Sequence, residues 1–390
     1  MNALIGSHES YDAIVVGARP AGAATAMLLG RAGRRVLLVD RSEYGADTLS
    51  THALLRSGVL QLHRWGLLDA VQRAVTPPVT ATRFHYGDDV IDIAIRAENG
   101  VDALYAPRRT VLDPILVDAA RDAGVEVVYK VRVTDVLRDP DDRVRGIRAQ
   151  TLHGDDAIAT APIVIGADGI HSSVARLVAS ETVHETTTAS AFIYGYFDGF
   201  VPGAYDWFFR PGVSAGVIPT NDGLANIFVG LPPARFSAEA RGGEVDAAFR
   251  AVLREAAPEV AAQIAGRAPV ARHRSFPGQV GHLRRAHGPG WALVGDAGSY
   301  KDPLTAHGIT AALRDAELLV RSLVSTGDAV QFETMRDAFA TPLLEVTASL
   351  AAYDWDIPEV MNLHQQLKRI ITREVDMLTS FDALSASEAA

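Results

Sequence analysis

The chain has 390 residues, 48% of them apolar, with a net charge of −10 and no cysteine. This fits a globular protein of two domains, at roughly 100–200 residues each, and argues against a nucleic-acid partner, which selects for a basic surface. Without cysteine, disulfides, thiolate metal sites, a dithiol relay and a sulfur-tethered flavin are excluded.

Residues 1–10 read as a frayed tail with no basic n-region and no long apolar stretch. No secretory leader is expected, and the expected location is cytoplasmic. The apolar runs are strand-sized, far from the ~20 residues of a membrane span. A strand (13–16), a glycine turn, an Ala/Leu-rich helix and a strand (36–40) come first. Residues 41–51 are polar and loop-like, 54–75 carry helical apolar spacing, and 76–78 break it. Residues 80–104 alternate as strands, 110–123 return to helix, and 125–136 with 144–151 read as a hairpin around 139–142. A buried strand and turn occupy 162–169.

From 188 to 231 the pattern is β-rich and aromatic, with Phe192, Tyr194, Tyr196, Phe200, Trp207, Phe208 and Phe209. Asn221-Asp222-Gly223 marks a hairpin turn. Helix is expected over about 236–265, a strand over 291–295, a helix over 309–323, and mostly helix over 328–380. The tail, 385–390, reads as disordered. Two β-rich stretches thus interrupt the α/β segments, which predicts domains built from interleaved pieces: 1–75, 105–185 and 272–340 in one, 76–104 and 186–271 in the other, then C-terminal helices and tail over 341–390.

Three turns carry the chemistry. Gly17-Ala18-Arg19-Pro20-Ala21-Gly22 follows the first strand, and Asp40 ends the second about 20 residues on, as a dinucleotide-binding βαβ unit requires. Gly166-Ala167-Asp168-Gly169 and Gly295-Asp296-Ala297-Gly298 each follow an apolar run. Three such turns far apart in sequence point to one large cofactor held from several sides, FAD.

Over about residues 11–325 these motifs together resemble the FAD-dependent monooxygenases of the para-hydroxybenzoate hydroxylase type. The resemblance implies an α/β fold: a doubly wound, Rossmann-like FAD-binding domain, an interleaved β-sheet substrate domain and a C-terminal helical segment. It implies cofactor contacts at Gly17, Ala18, Arg19, Ala21, Gly22, Asp40, Arg41, Arg56, Arg109, Asp168, Gly295, Asp296, Pro303 and Gly308. The family's second glycine is Arg19 here, so its side chain must point away from the pyrophosphate backbone approach or toward a phosphate. A helix N-terminus attracts pyrophosphate. Asp40 can accept from ribose hydroxyls and Asp296 from a ribityl hydroxyl. The turn from Pro303 to Gly308 would present N–H groups to the flavin ring.

The resemblance further implies that NAD(P)H reduces the flavin, O2 adds to it, and the hydroperoxide gives one oxygen atom to a small aromatic or natural-product-like substrate. Alternation puts Phe192, Tyr194 and Tyr196 on one sheet face, and Tyr194, Tyr196, Trp207 and Phe209 are the expected substrate-lining residues, with core packing as the plainer alternative. His52 is the candidate catalytic residue. Lys301 and His307 also lie beside motif positions, with structural roles as the alternative. Asp168 could equally cap the following helix.

Related prenyl-lipid reductases, halogenases fed by a separate reductase, and a flavin binder without turnover share these motifs and stay open. Two other matches read as chance. Gly212-Val213-Ser214-Ala215-Gly216 is followed by β-type residues where a nucleophile elbow needs a helix. Tyr353-Asp354-Trp355-Asp356-Ile357-Pro358 lacks the first tryptophan of the halogenase WxWxIP motif. His282 and His287 lack a partner carboxylate, and no metal site is expected. The C-terminal helices suit a homodimer interface or a lid.

Overall fold

A computed structural model describes residues 10–388 except 153, 200, 201, 241 and 242, with side chains as far as Phe381. Most of the expected N-terminal tail, Phe200 and the last two residues lie outside the described residues. Ser10 already bridges Thr160.

Six strands form the central sheet, in the order His287–Gly288, Trp291–Leu293, Val164–Gly166, Ala13–Val16, Val36–Asp40 and Glu126–Tyr129. All neighbours but the first pair run parallel. Their continuous Val/Ile/Leu runs are the mark of strands covered on both faces. On one face Val15, Leu38 and Ile165 pack beneath the helices Pro20–Arg31, Arg109–Asp122 and Gly308–Ser325. On the other, Ile14, Val16, Leu37 and Val39 meet a three-stranded antiparallel sheet (Val131–Arg138, Val144–Thr151, Asp156–Thr160) and the short helix Ser173–Leu177.

The topology positions the site. The strands that feed the three glycine turns are parallel neighbours, so the turns emerge side by side at one sheet edge. The chain crosses from Ala13–Val16 to Val36–Asp40 on one side and to Val164–Gly166 on the other. Ligands bind at such a switch point.

A seven-stranded sheet stands over that edge, in the order Arg274–Phe276, Ala191–Phe197, Ala225–Leu231, Val213–Pro219, Tyr205–Arg210, Ala81–Tyr86 and Asp89–Ala94. Ile193, Phe197, Phe208 and Ile227 pack on one face against the helices Val245–Ala256 and Pro258–Gln263. Phe192, Tyr194, Tyr196, Trp207, Phe209 and Phe228 belong to the other face and join the main core with Leu54, Leu304 and Ala306. Two long helices, Val330–Ala351 and Ile357–Glu388, close the molecule against Gly308–Ser325 and Arg56–Arg64.

Several expected boundaries are corrected. The helix over 54–75 is two, Arg56–Arg64 and Leu68–Arg73, separated at Gly66 with φ +72°. The hairpin strand over 125–136 splits at Lys130 (φ +62°): Glu126–Tyr129 joins the central sheet and only Val131–Arg138 pairs with Val144–Thr151. The helix over 236–265 is three, the last opening on Pro258, which cannot continue the preceding one. The tail is helical through Glu388.

Candidate functional site

Gly17 (φ +107°) carries the first turn, where a Cβ would lie 2.4 Å from the Ala167 carbonyl oxygen. At Gly22 a Cβ would meet the Gly17 oxygen at 1.7 Å. Strand, turn and helix are therefore packed at backbone contact, and only glycine fits. Asp40 fixes the turn: Oδ2 accepts from the Ala18 N–H at 2.6 Å, and Oδ1 from the Ser42 N–H at 2.7 Å and the Ser42 hydroxyl. Arg41 is exposed and lines a surface cleft with Ser42, Arg132 and Thr151.

The helix that follows opens on Pro20 with no acidic residue in its first turn and no side-chain cap. Its first N–H groups and dipole are open to an anion, with Ala21 in the first turn. Beside it, Asp113 takes a two-pronged ion pair from Arg109 (2.7 and 2.9 Å) and lies 3.7 Å from Arg19. Two guanidiniums thus share one carboxylate, and Arg19 Nη1 is buried without a hydrogen-bond partner. Burial and the like charge of Arg109 lower the Arg19 pKa from its ordinary value. The cradle has cationic charge to offer.

Gly295 (φ +59°) seats the third turn against the first, since a Cβ there would lie 2.9 Å from Ala21 Cβ. Its N–H donates to Asp315 Oδ2 at 3.3 Å. Among the described residues the Asp296 carboxyl has no hydrogen bond or ion pair. Burial pushes its pKa up to about 6, against the pull of Lys301 and Arg109. Lys301 is buried and pushed down to about 8 by desolvation, its Nζ donating to the Ser299 carbonyl (3.0 Å) and hydroxyl (3.3 Å). Asp302 caps the Pro303–Thr305 turn and accepts the Ser190 N–H at 2.6 Å. Ala306 is left-handed (φ +51°), and a Cβ at Gly308 would meet nothing within 4 Å. The Gly308–Ser325 helix therefore starts at open space.

Asp168 and Arg56 have other partners here. Asp168 accepts from the Ser173 N–H (2.6 Å), the Val174 N–H (3.2 Å) and the Ser172 hydroxyl, so it caps the next helix. Arg56 donates to the carbonyls of Arg96 (2.5 Å), Val101 (3.2 Å) and Glu98 (3.4 Å), tying its helix to that loop.

His52 is fully buried at φ +67° in the loop before Arg56. Its Nε2 hydrogen-bonds the Tyr196 hydroxyl, while Nδ1 is buried without a partner. Burial, then Arg109, Arg108 and Arg274, push its pKa down to about 3, so the imidazole is neutral near pH 7. Tyr194 accepts the Ser50 N–H at 3.4 Å, and its ring meets Tyr196 edge-on at 5.9 Å. Burial raises both phenols above their ordinary pKa. Trp207 donates from Nε1 to Thr82 Oγ1 at 3.1 Å, and Phe209 packs 4.4 Å from His364 of the last helix. The structure thus joins Tyr194, Tyr196 and His52 in one cluster and sets Trp207 and Phe209 further along the same face.

Sequence reading missed Asp113, Arg108, Arg274 and Asp47. Arg108 lies 4.8 Å over the Tyr196 ring, and Arg274 bonds Asp47 at 3.0 Å. The Arg109/Asp113 spacing of four along one helix was the one available signal. Ser214 of the GxSxG match lies in a strand after a β-turn, with no elbow. Tyr353 and Trp355 are buried, and the Tyr353 hydroxyl lies 2.8 Å from Ser214 Oγ.

Comparison with known proteins agrees with this geometry. Residues 10–331 match the FAD binding domain family, and the chain belongs to that family of FAD-dependent oxidoreductase enzymes. It is 28% identical over 331 residues to a digeranylgeranylglycerophospholipid reductase of Methanothrix thermoacetophila, covering 81% of this chain and 79% of the relative. Its fold matches that of Pseudomonas aeruginosa PqsL, solved with 2-aminobenzoylacetate (TM-score 0.73, 20% identity, 88% of this chain, 95% of that one). It also matches the flavin-dependent brominase Bmp2 (TM-score 0.77, 18% identity, 94% and 93%). The paired glycine turns, the surplus guanidinium and the unpaired Asp296 carboxyl fit FAD. No described helix is long and apolar enough to cross a membrane, and no described group of three or more His, Asp or Glu is placed to hold a metal ion.

Proposed function

We propose that the protein is an FAD-dependent monooxygenase that uses NAD(P)H and O2 to oxygenate a small aromatic or natural-product-like molecule. The observation that carries this reading is a buried aromatic face of the seven-stranded sheet, Tyr194 and Tyr196 among its rings, that packs in one core with Leu54, Leu304 and Ala306 beside the turns. Bound FAD would supply electron transfer from NAD(P)H and the activation of O2.

The chain's own residues hold and shelter that chemistry. The first helix N-terminus, Arg19 and Arg109 would hold the FAD pyrophosphate, Asp40 and Asp296 would accept from its ribose and ribityl hydroxyls, and the turn from Pro303 to Gly308 would offer N–H groups to its ring. The aromatic face keeps water from the reacting atoms, and Tyr194 and Tyr196 hold the substrate. Tyr196 keeps its proton and His52 stays neutral, so this pair orients by hydrogen bonding and carries no charge. The seven-stranded sheet and its helices then form the substrate-binding unit.

A second reading, reduction of a carbon–carbon double bond in a prenyl lipid, is favoured by the relatedness in sequence to the Methanothrix reductase. Turnover under 18O2 with a panel of aromatic and prenylated compounds separates the two. One labelled oxygen in the product supports oxygenation. Saturated product without label, formed equally well without O2, overturns it in favour of reduction.

A further inference from the structure

The family match ends at residue 331, yet a residue of the last helix stands in a fully buried charge network, Arg314, Asp315 and Glu374 each being at most 1% exposed. Glu374 is 1% exposed. Its Oε2 accepts from Ser57 Oγ at 2.7 Å and pairs with His307 Nε2 at 3.1 Å; Oε1 accepts from Arg314 Nη1 at 3.0 Å. Arg314 also bonds Asp315 Oδ1 (2.7 and 3.1 Å), and Asp315 Oδ2 accepts the Gly295 N–H. One connected network therefore joins the last helix, the Arg56–Arg64 helix, the Gly308–Ser325 helix and two of the turns assigned to FAD.

The chemistry sets the direction of the His307 bond. His307, Arg314 and Ser57 outweigh desolvation and hold the Glu374 carboxyl down at about 2. An ionised carboxylate only accepts, so His307 Nε2 carries hydrogen. The free atom is then Nδ1, buried and unpartnered on a side chain 1% exposed, directly before Gly308 where the helix starts at open space. A carboxylate that accepts one imidazole N–H fixes the ring's orientation and its tautomer.

We infer that Glu374 is a positioning residue for the cofactor: through His307 it fixes the turn from Pro303 to Gly308, so the last helix is an integral part of the flavin site. The inference rests on the FAD reading above. It is tested on the full chain by titrating FAD into apo wild type, Glu374→Gln, His307→Gln and the double variant, following affinity and the visible band of the bound flavin. Each single change is expected to raise the FAD Kd at least tenfold and to shift the band. The double variant should fall within about twofold of the worse single, because residues in one network do not add.

A lowered apo melting point with wild-type FAD affinity and band would show a structural strut only and overturn the inference. If Glu374→Gln does not fold, His307→Gln decides alone by the same two readings. A wild type that takes no FAD would sink the functional reading itself; indifferent variants of an FAD-binding wild type sink only this inference.

Discussion

At the edge of the central sheet the groups left free are backbone N–H groups at the first helix start, the Asp296 carboxyl and one guanidinium more than its carboxylate needs. On the seven-stranded sheet Tyr194, Tyr196 and Trp207 spend their polar atoms on protein partners, and that face is mostly ring. On the proposed reading the first region would bind through main-chain geometry and charge, so a single methyl group or a single charge matters, and the second would bind through shape, so a single ring is worth less.

The largest effect is expected at Gly22→Ala. Its Cβ would fall 1.7 Å from the Gly17 oxygen, so turn and helix must separate. Purified variant should carry no FAD; wild-type flavin content would break the close-packing account.

Asp296→Asn comes next. It should weaken FAD binding about tenfold, a loss of about 1.4 kcal/mol, and act oppositely on the apo protein. Asp296 has a folded pKa near 6, above its unfolded value. A raised acid favours folding at low pH and loses that contribution as pH rises through about 4–6. At pH 7.5 apo Asp296→Asn should therefore be more stable than wild type, by on the order of 1 kcal/mol, with the difference gone below about pH 4. Denaturant melts at the two pH values check this; equal stability at pH 7.5 would contradict the burial argument.

Tyr196→Phe leaves His52 Nε2 buried without a partner, which costs roughly 1–3 kcal/mol. The expected signature is a lower melting point and a raised substrate KM, with FAD affinity kept. Because His52 is neutral near pH 7, the kcat/KM profile should carry no inflection near pH 6.5 from it; one that vanishes in His52→Gln would contradict that placement. The smallest effect is expected at Arg56→Ala, with FAD Kd changed less than about twofold, since its three bonds go to the 96–101 loop.

How far each region could be read in sequence follows the same division. The glycine turns were legible because glycines at close contact and an acid at a strand end leave a local signature: Gly17, Gly22 and Gly295 pack too tightly for a side chain, and Asp40 ends its strand. Alternation likewise put Phe192, Tyr194 and Tyr196 on one face. What stayed hidden joins residues far apart in sequence. Arg108 over Tyr196, Arg274 with Asp47 and Glu374 with His307 depend on packing between elements and have no local spacing to show. The helix break at Gly66 and the strand break at Lys130 were missed because the apolar rhythm runs through them while a single left-handed residue redirects the chain. The second cover of the central sheet could not be foreseen either: its antiparallel strands carry the same apolar alternation wherever they pack.

The most direct test is anaerobic stopped-flow mixing of FAD-loaded protein with NADH or NADPH, followed by O2. The account predicts loss of the oxidised flavin absorbance with at least one nucleotide, then an oxygen-dependent intermediate before the oxidised spectrum returns. No reduction by either nucleotide, with aromatic and prenylated compounds present, would contradict it.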